Sequence, residues 1–182
     1  MTSTDRDTLR RSYDRSAATY DDRFHAFQHD KYAVMLTDGV ALWRRPWLDL
    51  GCGTGLLKGF LAEAGADAGA LVGIDFSHAM LVRAQERHLP GARADVAELP
   101  FRDGAFGAVL AFTVLRILSD PVAEGRTLAE VARVLERGGV FVLTVLESND
   151  DPTLADRLCA AGFRPDAGRG CGQDVGYRCV RI

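Results

Sequence analysis

Leu48-Asp49-Leu50-Gly51-Cys52-Gly53-Thr54-Gly55 is a short apolar run that breaks into three alternating glycines. The positions that follow, Leu56, Leu57, Phe60, Leu61 and Ala64, recur at helical spacing. The segment therefore reads as strand, tight turn, helix. Glycines at a strand end let the backbone turn sharply and approach a ligand closely. The helix start then offers unpaired N–H groups to polar ligand atoms. Such a turn belongs at the carboxyl ends of the strands, where open α/β sheets bind their ligands.

Working outward, β-rich runs at residues 47–50, 70–74, 92–95, 108–112 and 140–146 alternate with helical stretches. Strand–helix alternation predicts parallel strands joined by crossover helices. The run 140–146 is apolar almost throughout, as a strand covered on both faces should be. Ser77 is placed to cap the helix after Asp75, and Asp120-Pro121 to start another. Gly65 and Gly69 bracket the end of the first core helix, and Gly138-Gly139 mark a later helix end. Residues 4–19 and 30–43 read as two polar-faced helices, a cap of residues 1–45 on a cofactor-binding core of residues 46–146. Residues 147–182 predict a last helix and two antiparallel strands around a glycine-rich turn at 167–172. The whole reads as a single domain, for which 182 residues suffice.

Composition narrows the class. The net charge of −3 argues against nucleic acid as a partner, because phosphate binding favours basic faces. Arg10, Arg11 and Arg15 are interleaved with Asp5, Asp7 and Asp14, the pattern of a solvated helix face. No run approaches the roughly 18 apolar residues of a membrane span, and residues 1–12 lack the apolar centre of a signal peptide. The expected compartment is the cytoplasm. Cys52, Cys159, Cys171 and Cys179 form no C-x-x-C pair, and no histidine sits at zinc spacing, so no metal is expected.

Asp49-Leu50-Gly51-Cys52-Gly53-Thr54-Gly55 resembles the first motif of class I S-adenosylmethionine-dependent methyltransferases. Val72-Gly73-Ile74-Asp75-Phe76-Ser77 is similar to that family's second-strand motif, and Asp95 with Leu99-Pro100-Phe101 to its third. Residues 106–112 match its fourth strand, and Leu135-Glu136-Arg137-Gly138-Gly139-Val140-Phe141 the run into its fifth. Tyr13-Asp14-Arg15-Ser16-Ala17-Ala18-Thr19-Tyr20-Asp21 is similar to a segment of the ubiquinone and menaquinone biosynthesis subgroup. The resemblance implies a Rossmann-like, doubly wound, mostly parallel seven-stranded sheet with an antiparallel last strand. It implies S-adenosylmethionine as cofactor and S-adenosylhomocysteine as product.

The resemblance also implies a set of cofactor contacts. Gly51, Cys52, Gly53 and Gly55 form the loop. Asp75 accepts hydrogen bonds from the ribose hydroxyls, where its other reading is helix capping. Phe76 and Met80 supply apolar contact to adenine, and Met80 reads equally as core. Asp95 takes the exocyclic amine of adenine, which suits an acceptor-only carboxylate, with the Val96 N–H on a ring nitrogen; the other reading of Asp95 is a surface turn acid. Asp49 either fixes the loop through backbone N–H bonds or contacts the methionine amine through water. Tyr13 and Tyr20, seven apart and on one face if the helix runs through, close over the cofactor or pack on the core. Phe112 and Thr113 lie where methyl group and acceptor meet. Beyond them the family's Leu-His-His-like segment is replaced by Leu115-Arg116-Ile117-Leu118, which removes one candidate base. Arg116 either pairs with an anionic substrate or is a solvated helix-end residue. His25 and His29, four apart, are candidates for a base or ordinary surface residues.

Methyl transfer to a small-molecule acceptor by in-line displacement is the expected activity. It needs alignment and water exclusion more than dedicated acid or base groups. A domain that holds the cofactor without catalysis is one alternative. An NAD-dependent oxidoreductase is another, disfavoured by Leu56 where G-x-G-x-x-G requires Gly or Ala, and by the absence of a Tyr-x-x-x-Lys pair. No Asn/Asp-Pro-Pro-Tyr-like segment follows the fourth strand, which counts against a nucleic-acid methyltransferase.

Overall fold

The computed structural model describes residues 3–37, 43–66, 70–115, 121–147 and 152–182. Asp120, Arg116 and Gly69, read above as a helix start, an anion partner and a helix end, lie outside them. An eight-stranded sheet runs in the order β3-β2-β1-β4-β5-β8-β6, with β7 paired to β8. Its strands are β1 (Trp47–Leu50), β2 (Leu71–Asp75), β3 (Gly91–Arg93), β4 (Phe106–Phe112), β5 (Leu135–Leu146), β6 (Phe163–Pro165), β7 (Arg169–Cys171) and β8 (Asp174–Arg181). The pairs among β3, β2, β1, β4 and β5 are parallel, while β8 is antiparallel to β5, β6 and β7. The helices are α1 (Ser3–Ser16), α2 (Tyr20–Leu36), α3 (Leu56–Glu63), α4 (His78–Glu86), α5 (Pro121–Val134) and α6 (Leu154–Ala160).

All seven residues of β4 are buried, as parallel strands with two covered faces require. Alternation divides them between two cores. Val109 and Ala111 join Leu128 and Val131 of α5 and Leu154 and Leu158 of α6 on one face. Ala108, Leu110 and Phe112 join Met35 of α2, Leu57 and Leu61 of α3 and Ala84 of α4 on the other. The sheet order reverses between β1 and β4, the topological switch point at which a crevice opens beyond the strand ends.

Four expectations are corrected. The second helix begins at Tyr20, not at residue 30, so Tyr13 and Tyr20 sit on separate helices with a turn at 17–19 between them. The strand expected at 70–74 runs one residue later, as 71–75, and that expected at 92–95 starts one residue earlier and ends two earlier, as 91–93. The helix before β5 stops at Val134, because Leu135 already pairs with Phe106. Gly138, at φ +76°, sits inside β5, where the ladder to β4 shifts register; a glycine in that conformation marks a bulge rather than a helix end. The glycine-rich tail segment is not just a turn: residues 169–171 pair with β8 as an eighth strand where seven were expected. Ser77 does cap α4, its hydroxyl accepting from Met80 N–H at 3.2 Å.

Candidate functional site

A cavity of about 980 Å³ opens at the carboxyl ends of β1, β2 and β4, within the range of small-molecule sites. Helices α1 and α2 cover it, and three of their side chains, Asp14, Arg6 and Asp21, tie them down. Asp14 of α1 accepts from Ser77 Oγ at 2.6 Å and Ala79 N–H at 3.4 Å, at the start of α4. Arg6 of α1 pairs with Asp95 at 2.6 Å. Asp21 of α2 accepts from Thr54 Oγ1 at 2.5 Å and pairs with Arg87 at 2.6 Å. Across the turn, the rings of Tyr13 and Tyr20 lie 6.5 Å apart, and Tyr13 meets Phe76 edge-on at 5.7 Å.

Of the thirteen cofactor contacts that the resemblance implies, ten line this cavity: Tyr13, Tyr20, Gly51, Gly53, Asp75, Phe76, Met80, Asp95, Val96 and Phe112. Three do not: Asp49, Cys52 and Gly55. Cys52 turns its thiol onto β2, where a Cβ at Gly73 would stand 2.8 Å from the sulfur. Burial first, then the carboxylates of Asp49 and Asp75, push that thiol well above its ordinary range, so it is no nucleophile. Gly55 packs on α4, a Cβ there falling 3.2 Å from Ala84 Cα. His25 and His29 stack on each other at 4.0 Å, and His29 meets Phe60 edge-on; neither lines the cavity.

The glycine loop explains the geometry around Asp75. Gly51, Gly53 and Gly55 all take positive φ, +72°, +52° and +80°. This brings Gly53 N–H to 2.9 Å from Asp75 Oδ2, while Asp75 Oδ1 accepts from Ser77 N–H at 2.8 Å. With Phe76 N–H also bonded to it, the carboxylate, which offers about four acceptor positions, keeps capacity for a ligand. Burial pushes the Asp75 carboxyl up, and the N–H bonds from Ser77 and Gly53 pull it partly back. A Cβ on Gly53 would meet nothing within 4 Å, so the loop leaves open space on the cavity side.

Asp49, behind the loop, is 4% exposed, and its Oδ2 has no hydrogen-bond partner among the described residues. Burial, then the Asp75 charge, pushes its carboxyl from 3.8 up to about 8. Between those values the folded protein holds a proton that the unfolded chain releases, so this group favours folding at low pH and loses that effect as pH rises toward 8. Folding stability measured by denaturant titration from pH 5 to 8 is expected to fall less steeply in Asp49→Asn than in the native chain. Equal slopes would show that Asp49 is ionised throughout.

Several cavity residues were not legible in the sequence. Arg6 neutralises Asp95, Lys31 of α2 meets Asp174 of β8, and Gln28 sits one turn before Lys31 on α2. Only Thr113, next to Phe112, had been placed near the reacting centre.

A buried acid with its Oδ2 unpartnered behind three positive-φ glycines, a second acid at the end of β2 and a third after β3 could hold an adenosine carrying an amino acid. Residues 48–143, more than half of the chain, match the family model described as "Methyltransferase domain", and the chain belongs to that family. It is 44% identical over 108 residues to a demethylmenaquinone methyltransferase of Corynebacterium urealyticum, covering 59% of this chain and 44% of that protein. It is 32% identical over 148 residues to a malonyl-[acyl-carrier protein] O-methyltransferase of Herminiimonas arsenicoxydans, covering 81% and 55%. The chain thus spans about half the length of these relatives. In fold it is similar to a structure described as an S-adenosylmethionine-dependent methyltransferase, possible histamine N-methyltransferase, from Thermotoga maritima. That match has a TM-score of 0.73 at 18% identity and covers 93% of this chain and 98% of the other. Among the described residues no helix is long and apolar enough to cross a membrane.

Proposed function

We propose that the protein transfers a methyl group from S-adenosylmethionine to a small-molecule acceptor. The observation that carries this reading is the joint placement of Gly51, Gly53, Asp75, Phe76, Asp95 and Val96 along one wall of a single cavity that also reaches Phe112 and Thr113. When bound, the cofactor supplies a methyl carbon activated by a sulfonium. Asp75 would hold the ribose hydroxyls with its spare lone pairs, and Phe76 and Met80 would face adenine. Asp95 would receive the adenine amine, for which Arg6 must give up part of its contact. Asp49 lies behind the loop and outside the cavity lining, so it would answer the positive amino group of the methionine part only through water. Tyr13 and Tyr20 would roof the site from α1 and α2 and keep water out. Burial, with Tyr20 and Asp75 adding to it, pushes the Tyr13 hydroxyl up to about 12, so it stays neutral under this roof.

The relatives named above carry different acceptors in their names, so those names do not select one here. A cytoplasmic setting is part of the same reading. It is supported by four cysteines that are all unpaired, as a reducing compartment leaves them. The test is turnover with methyl-labelled S-adenosylmethionine against thiols, phenols and amines. Label recovered in an acceptor, with S-adenosylhomocysteine formed in equal amount, is the expected result. Saturable cofactor binding without transfer to any of them would make the protein a binder rather than an enzyme.

A further inference from the structure

Beyond the end of β4 the cavity wall becomes polar in a way that cofactor binding does not use. Lys31 of α2 donates to Thr113 Oγ1 at 2.7 Å and pairs with Asp174 Oδ2 at 3.0 Å. Thr113 Oγ1 in turn donates to the same Asp174 oxygen at 2.7 Å. The side chains of Lys31 and Asp174 are 9% and 1% exposed, and all three residues line the cavity. One helical turn before Lys31, Gln28 lines it too, its Nε2 donating to Tyr20 Oη at 3.4 Å. Two acceptors here have no partner among the described residues: Asp174 Oδ1 and Gln28 Oε1.

Buried acceptors without donors are costly and rare, and each calls for an explanation. A second feature falls at the same place. Thr113 has φ +60°, a left-handed conformation that a β-branched residue seldom takes. Its N–H is held by Thr144 O and Oγ1, both at 3.0 Å, and its hydroxyl by Lys31 and Asp174, so the strain is imposed by the surroundings. Beside this cluster the cavity lining is apolar: Phe24 and Phe27 precede Gln28 on α2 and Leu146 is the cross-strand partner of Asp174, with Phe27 and Leu146 48% and 37% exposed.

We infer that Asp174, held by Lys31 and Thr113 and assisted by Gln28, recognises the acceptor through a hydrogen-bond donor group, a hydroxyl or an amine, on an apolar body. The inference rests on the cavity being the methyl-transfer site. Lys31 and Asp174 cancel in charge, and the ammonium already serves Thr113 and Asp174. What the cluster leaves over is acceptor capacity, which suits an O–H or N–H and repels a carboxylate or phosphate. The apolar body would lie along Phe24, Phe27 and Leu146.

The experiment uses the full chain saturated with S-adenosylhomocysteine. It is titrated by calorimetry and ligand-observed NMR with alkylphenols and alkylanilines and with their fully methyl-capped counterparts, which keep the apolar body and lose the donor hydrogens. The native protein is expected to bind uncapped probes at least about tenfold more tightly than capped ones, since a site built to accept a hydrogen bond rejects the analogue that lacks it. In Asp174→Asn the amide oxygen stays with Lys31 and Thr113 and an N–H₂ group faces the ligand, so that preference disappears. S-adenosylhomocysteine affinity changes less than twofold. Gln28→Met is expected to weaken the preference in the same direction, and it carries the test if Asp174→Asn does not fold. Equal binding of capped and uncapped probes to the native protein, or an undiminished preference in the folded variants, overturns the inference alone. Failure of the native protein to bind S-adenosylhomocysteine overturns the cofactor site, and the inference with it.

Discussion

Asp75→Asn is expected to raise the dissociation constant of S-adenosylmethionine about 10- to 100-fold, because hydrogen bonds to a charged partner are each worth roughly 1.5–3 kcal/mol. Two effects act together. The carboxylate that would accept the ribose hydroxyls becomes an amide with a single acceptor oxygen. The bonds from Gly53 N–H at 2.9 Å and Ser77 N–H at 2.8 Å can no longer both be kept, so the glycine loop loses its tie to β2. Calorimetric titration measures the affinity, and the thermal midpoint of the free variant separates loss of contact from loss of fold. An unchanged affinity in a folded variant would remove Asp75 from the site and leave it only the two backbone bonds.

Gly53→Ala is expected to weaken cofactor binding at least about tenfold, equivalent to 1.4 kcal/mol, at a modest cost to the free protein. A methyl group there meets no protein atom within 4 Å, so its only penalty in the free chain is the left-handed backbone, φ +52°. That penalty is about 1–2 kcal/mol. Gly65 provides the control. It too has positive φ, +70°, and open space around its Cβ position, but it follows α3 and does not line the cavity. Gly65→Ala should therefore lose similar stability and keep full affinity. If both variants bind alike, the space beside Gly53 is not where the cofactor lies.

The parts of the fold legible in the sequence are those written in local, periodic terms. Ser77 announced the start of α4 because a capping hydroxyl acts on its own next turn. The apolar run 140–146 announced a doubly covered strand, and β5 is buried through most of its length. Gly138 misled because the same positive φ serves a helix end and a strand bulge, and only pairing of Leu135 with Phe106 distinguishes them. The end of α1 at Ser16 and the immediate start of α2 at Tyr20, where helices over 4–19 and 30–43 were expected, were missed for the opposite reason. Ala17, Ala18 and Thr19 carry no glycine or proline to mark a break, and the helices part because each docks on a different element, α1 on α4 and α2 on α3.

The site divides in the same way. Gly51, Gly53 and Asp75 come from one contiguous strand–turn–helix unit and its neighbouring strand, so spacing located them. Arg6 with Asp95, Lys31 with Thr113, and Thr113 with Asp174 join residues 89, 82 and 61 positions apart, and nothing local records such meetings. Asp49 shows the limit of a pattern even where it locates the residue. Its place before the glycines was plain, but that it sits unpartnered behind the loop, with its carboxyl raised to about 8, depends on β2 and β4 flanking it on both sides.

The most direct measurement is a calorimetric titration of the purified protein with S-adenosylmethionine, with NAD as the parallel ligand. Saturable one-to-one binding of S-adenosylmethionine and no binding of NAD is the predicted result. Binding of NAD alone, or of neither, would contradict the assignment of the glycine loop and of Asp75.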